Sequence, residues 1–200
     1  MLPMHVAAQF GHGALVRLLS DSGSPLSSKD LEGYTPLHAA AEKGMEGAVQ
    51  VLLELSARVD AAEKTGRTPL HLAATWNKAA VCKLLLDAGA DVQARDNEQN
   101  SSLHLPALRG HVSVVKLLLA SSIDVDAKNW AGRTPLLLAA QEGRKTVASL
   151  LLNAGAEVEA RNLRGVTPLY MAEFRGHAHV GALLTRVAQE RARRMAFAMG

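Results

Sequence analysis

Several kinds of residue and segment are scarce or missing in this chain of 200 residues. Cys82 is its one cysteine, which excludes an internal disulfide framework and any Cys-rich zinc module. Only seven residues are Phe, Tyr or Trp, against 65 Ala and Leu. A β-sandwich draws on aromatic and β-branched residues, so this aliphatic composition suits closely packed helices better. No run of about 18 apolar residues occurs, and no membrane-spanning segment is expected. Pro3, His5 and Gln9 interrupt the apolar stretch a signal peptide would need. A cytoplasmic or nuclear protein is the resulting expectation. There is no Gly-rich phosphate loop, nucleophile elbow or paired His-Glu metal motif. With carboxylates scattered mostly over turns, no acid/base pair stands out, so no catalytic residue and no cofactor is expected.

What is present is a repeat. Thr35-Pro36-Leu37-His38 recurs as Thr68-Pro69-Leu70-His71, an offset of 33 residues. The same step leads to Ser101-Ser102-Leu103-His104, Thr134-Pro135-Leu136-Leu137 and Thr167-Pro168-Leu169-Tyr170, and backwards to Leu2-Pro3-Met4-His5. Against T-P-L-H-x-A-A, with six scored positions in six copies, 28 of 36 positions match and no gap is needed. This period and motif resemble the ankyrin repeat family, over essentially the whole chain. The resemblance implies an all-α solenoid of about six helix-turn-helix units with β-hairpin tips. On the repeat register, residues 1–29 form a partial first unit, followed by 30–62, 63–95, 96–128 (degenerate), 129–161, and 162–200 with a capping helix.

The residues agree with that reading. Thr35, Thr68, Ser101, Thr134 and Thr167 stand where a hydroxyl can cap a helix, and Pro follows in most copies at the first helical position. Ala pairs such as Ala73-Ala74 let helices approach closely. Gly11, Gly44, Asn77, Gly110, Gly143 and Gly176 stand where the first helix should end in a left-handed residue. Second helices carry aliphatic blocks such as Leu84-Leu85-Leu86. Short extended pieces are expected at 90–94 and 156–160, and tip turns at Gly33, Gly66, Gly132 and Gly165.

Two places depart from the pattern. In the fourth copy Gln99 replaces the tip Gly, Ser102 the first-turn Pro, and Pro106 falls at the fifth helical position. Proline inside a helix costs about 3 kcal/mol, so this copy reads as a tolerated defect, a hinge or an altered surface. The first copy begins at its capping position, with Leu2 where Thr is usual; either a longer chain has been shortened or this helix frays. After Leu183-Leu184 the helical pattern runs on through Arg194, as a polar closing cap should.

His5, His38, His71 and His104 recur too far apart to share an ion, since stacked helices lie about 8–10 Å apart and zinc–nitrogen bonds are about 2.0–2.1 Å. The resemblance implies a structural hydrogen bond near the tip instead. His177 and His179 form only a weak pair, and no metal is expected. Cys82 reads as a buried small hydrophobe. Residues 1–100 carry 9 Lys or Arg against 12 Asp or Glu, a net of −3; residues 101–200 carry 13 against 7, a net of +6. The Arg-rich tail reads as a solvated cap, as a site for an acidic peptide, or as a nucleic-acid contact. The last is weakened because no aromatics interleave the basic residues.

The resemblance implies that tips and exposed ends of first helices form a concave binding face. There the chain places Tyr34, Lys43, Arg67, Trp76, Arg109, Trp130, Arg133, Arg164, Phe174 and Arg175. Trp, Tyr and Arg are the types enriched at interface hot spots. The expectation is a monomeric, non-enzymatic adaptor that binds a partner protein. The alternative is a regulatory or targeting fragment of a larger protein whose effector domain lies elsewhere.

Overall fold

A proline with its φ already helical opens five of the six first helices. In the computed structural model, which describes residues 2–198, these are α1 (Pro3–Gln9), α3 (Pro36–Lys43), α5 (Pro69–Thr75), α9 (Pro135–Gln141) and α11 (Pro168–Phe174). Each is followed by a longer partner: α2 (Gly13–Asp21), α4 (Glu46–Glu54), α6 (Ala79–Asp87), α10 (Lys145–Asn153) and α12 (Ala178–Ala198). The fourth pair is α7 (His104–Arg109) and α8 (Val112–Ala120). Thr35, Thr134 and Thr167 cap their helices, accepting from His38, Leu137 and Tyr170 amides at 3.4, 3.3 and 3.2 Å. The first helices end in left-handed residues as expected, including Asn77 at φ 57°.

The chain divides into two compact units, Met1–Ser102 and Leu103–Gly200. In the first, α1, α3 and α5 pack in sequence, with α2, α4 and α6 as a second layer. Ala7, Ala8, Ala40, Ala41, Ala73 and Ala74 are fully buried; their small side chains set the close approach of the inner helices. In the second unit α7, α9 and α11 form one layer and α8, α10 and α12 the other. Leu118, Leu151 and Leu184 fill the space between them, each stabilising by about 1.5–3 kcal/mol.

The tips are tight turns rather than paired strands: among the described residues the only β-bridge is Arg95 with Ser101. Residues 90–94 and 156–160, expected to be extended, also contain turns. The reason is a side chain that folds each tip onto itself. Asp30 Oδ1 accepts from the amides of Glu32 and Tyr34 at 2.9 and 3.0 Å. Asp96, Asn129 and Asn162 repeat the arrangement, and Glu63 does so with one more carbon. Adjacent tips are stitched by Lys64 N–H to Glu32 O (3.1 Å) in the first unit and Leu163 N–H to Ala131 O (3.2 Å) in the second. Glycine is required at Gly132, where φ is 70° and a Cβ would lie 2.8 Å from the Leu163 nitrogen.

The fourth copy differs from the sequence expectation. Its helix begins at His104, with Leu103 as N-cap and no side-chain cap. Ser101 is therefore not the N-cap residue of this helix, and its backbone joins the Arg95 bridge. Pro106 becomes the third helical residue, one of the positions whose N–H has no partner in any helix. The late start removes the lost hydrogen bond that a proline in a full-length helix would have caused.

α12 runs through Arg194, as far as the sequence pattern led, and on to Ala198. Arg191 donates to Ala156 O and Leu152 O, both at 2.8 Å, closing carbonyls at the end of α10. The arginine complements a neighbouring helix rather than its own.

Candidate functional site

The motif histidines tie four of the first helices, α1, α3, α5 and α7, to the following tip. His5 Nε2 lies 2.8 Å from Tyr34 O, His38 Nε2 3.1 Å from Arg67 O, and His71 Nε2 3.2 Å from Asn100 O. In the second unit His104 Nε2 lies 3.1 Å from Arg133 O. The Thr35 amide donates to His38 Nδ1 at 3.1 Å, so Nε2 carries the proton and donates onward. Burial holds His38 neutral, with its pKa lowered to about 4, and lowers that of His71 for the same reason. His177 and His179 likewise meet carbonyls, Gln141 O at 3.0 Å and Gly143 O at 3.2 Å. Cys82 is fully buried, and burial pushes its thiol up to about 12.

Three of these carbonyls, those of Tyr34, Arg67 and Arg133, belong to the ten residues expected to face a partner. In the first unit Trp76, the C-cap of α5, is 51% exposed, and Lys43 is exposed beside Glu42 at 3.1 Å. Tyr34 is only half-buried, its ring 5.5 Å from that of His38, and burial raises its pKa. Arg67 is also half-buried, its Nε donating to the buried Glu63 at 3.1 Å. Burial works against both charges. The hydrogen bonds from Thr65 and Arg67 outweigh it in the acid and lower its pKa, while the Glu63 bond and the neighbouring Tyr34, Glu63 and Asp96 charges outweigh it in the base and raise its pKa. Arg67 is thus a tip brace.

Gln9, Asp30, Glu32, Tyr34, Glu42 and Lys43 line a cleft of about 270 Å³ in this unit. In the second unit Arg109, Trp130, Arg133, Arg164, Phe174 and Arg175 are all exposed, Trp130 at 68% and Phe174 at 72%. Tyr170, outside the ten, joins them: 56% exposed, it stacks on Phe174 with ring centres 6.1 Å apart. Its signal was the loss of the motif His in the last copy. Among the described residues no further tip follows α11 for a histidine to hold.

An all-helical stack of helix pairs, joined tip to tip and His to tip, defines a class of repeat scaffold that displays side chains. The family model for ankyrin repeats (three copies) matches over residues 4–96, 59–129 and 103–192, and the chain belongs to the ankyrin repeat family. Such repeats are generally non-enzymatic protein–protein interaction modules. No curated protein matches the chain. No helix among the described residues is long and apolar enough to cross a membrane.

Proposed function

We propose that this protein is an adaptor, working as a monomer in the cytoplasm or nucleus, that binds a partner protein on the faces formed by tips and first-helix ends. The observation that carries the reading is the exposure of Trp76 and Trp130, at 51% and 68%. An exposed indole adds little to a helical scaffold, whereas Trp is a favoured interface anchor. Trp76, Lys43 and Tyr34 serve the first unit. Arg109, Trp130, Arg133, Arg164, Phe174 and Arg175 serve the second. Arg67 acts by holding the tip that presents its neighbours.

The test is affinity capture from cell lysate followed by titration of the captured partner. Trp76→Ala and Trp130→Ala should each weaken binding by about 1–3 kcal/mol with the melting temperature nearly unchanged. Glu46→Ala and Lys116→Ala, exposed on α4 and α8, should change neither. Normal binding by both Trp variants together with easier unfolding would show that the rings only pack the scaffold.

A further inference from the structure

The second and sixth copies build the same tip from different side chains. Asp30 N–H donates to Tyr34 O at 3.0 Å and Gly33 N–H to Asp30 O at 3.0 Å; Asn162 and Gly165 make the equivalent bonds at 3.1 and 3.0 Å. The Glu32 and Arg164 amides each lie 2.9 Å from the Oδ1 that closes their tip. Glu32 thus corresponds in place to Arg164, Tyr34 to Val166, Glu42 to Phe174 and Lys43 to Arg175. In the first unit Glu32, Tyr34, Glu42 and Lys43 line one cleft. In the sixth copy the corresponding positions carry Arg164, Val166, Phe174 and Arg175: both carboxylates are gone, and two arginines stand where there was one lysine.

The scaffold therefore does not demand Arg164, Phe174 or Arg175. Among the described residues the guanidiniums of Arg164 and Arg175 meet no carboxylate, and both are exposed. Beside them lie the Tyr170–Phe174 stack and Leu163, 79% exposed. Glu173 is also exposed on α11, and Glu142, further back, accepts from Gln141 Nε2 at 3.0 Å. Arg161 is held by Gly165 O at 3.0 Å. Two unpaired cations beside exposed rings and a leucine suit a ligand with carboxylates next to an apolar anchor. Peptide carboxylates pair with Arg in a planar, bidentate manner, and the rings supply rigid apolar contact.

We infer that the sixth tip and α11 bind an acidic peptide segment of the partner, with Asp or Glu flanking an aromatic or large aliphatic residue. This rests on the protein-binding reading above and names the chemistry of one of its faces. The experiment pans a random peptide library on the full chain, then titrates the most enriched peptide, fluorescently labelled. Enriched sequences should be acidic with one large apolar residue. The double variant Arg164→Glu, Arg175→Glu should weaken the peptide by at least about tenfold, and Phe174→Ala by about tenfold. Trp76→Ala should leave it unchanged. Arg164→Glu and Phe174→Glu introduce residue types that the second copy already carries at these positions, and their melting temperatures should match wild type. Enrichment of neutral or basic peptides, or acidic peptides indifferent to the charge reversal, overturns this inference and leaves the protein-binding reading standing. Absence of any enrichment overturns both. Binding of short single-stranded DNA as tight as the peptide, and indifferent to Phe174→Ala, overturns it in favour of a phosphate polyanion. Self-association abolished by Phe174→Ala overturns it in favour of a second copy.

Discussion

His38 does more than fill a motif position. Its two ring nitrogens serve the Thr35 amide and the Arg67 carbonyl at the same time, and only the neutral ring can accept at one and donate at the other. A proton therefore breaks the arrangement. Its folded pKa of about 4 lies below the ordinary 6.5, so between those values the unfolded chain binds the proton and the folded chain does not. The contribution is fully present above about pH 6.5 and is lost as pH falls toward 4, up to about 3 kcal/mol. His71 adds in the same direction. Urea unfolding at about pH 7 and about pH 5 should show wild type losing more stability than His38→Leu. That substitution copies Leu137, which is buried at the same position of the fifth copy. At about pH 7 the variant should itself be about 1–3 kcal/mol less stable, because the Arg67 carbonyl and Thr35 amide lose their partner. Equal pH slopes would show that His38 is not the titrating group.

Among the elements, α7 shows how a sequence rule can be right about a residue and wrong about its consequence. Pro106 forbids a helix that starts at Ser102, because its ring would crowd the carbonyl four residues back. The chain yields by starting at His104, leaving six helical residues where the other first helices have seven or eight. Ala107 N–H still reaches Leu103 O at 3.1 Å, and Gly110 N–H reaches Pro106 O at 2.9 Å. Pro106→Ala should therefore shift stability by less than about 1 kcal/mol. Ala73→Pro places the ring at the same register position within α5, which does start on its proline, and should cost about 3 kcal/mol. Urea denaturation of the two variants decides the point. A large gain from Pro106→Ala would mean that the late start is itself strained. The degenerate tip before α7 is likewise well made. Asp96 accepts from Glu98 and Asn100 amides at 2.9 and 2.8 Å, and Gln99 takes the left-handed place of glycine at φ 62°.

Across the whole molecule, cohesion comes from neighbours, so a helix pair covered on one side should open before one covered on both. α1 and α2 leave Leu2, Leu15 and Leu18 exposed at 42, 41 and 61%, and α1 has no side-chain cap. Hydrogen exchange should therefore be faster in α1 and α2 than in α3 and α4, while the amides of Glu98 and Asn100 stay protected. Exchange fastest at residues 96–100 would show instead that the degenerate copy is the weak link. Charge is also a whole-chain property: each unit has its own balance, with 9 basic residues against 12 acidic in 1–102 and 13 against 7 in 103–200.

The repeat length, the helix pairs, the left-handed glycines and Asn77 were all legible in the sequence. Each depends on chemistry within a few residues, repeated every 33. The recurring Asp, Glu or Asn that folds each tip stood at the same spacing and could have been read there. Which display residues are available was not legible. Arg67, directly before Thr68, and Arg164, three residues before Thr167, both lie in tips and both read as exposed cations. Yet Arg67 is held by a buried glutamate four residues away, and Arg164 faces solvent. Tyr34 lies half-buried over His38, while Tyr170 stands out against Phe174. Such differences arise from how the folded chain sets each side chain against a partner: the Glu63 carboxylate against Arg67, and the His38 ring against Tyr34. A local pattern can say which residue could face a partner; only the stack decides whether it does.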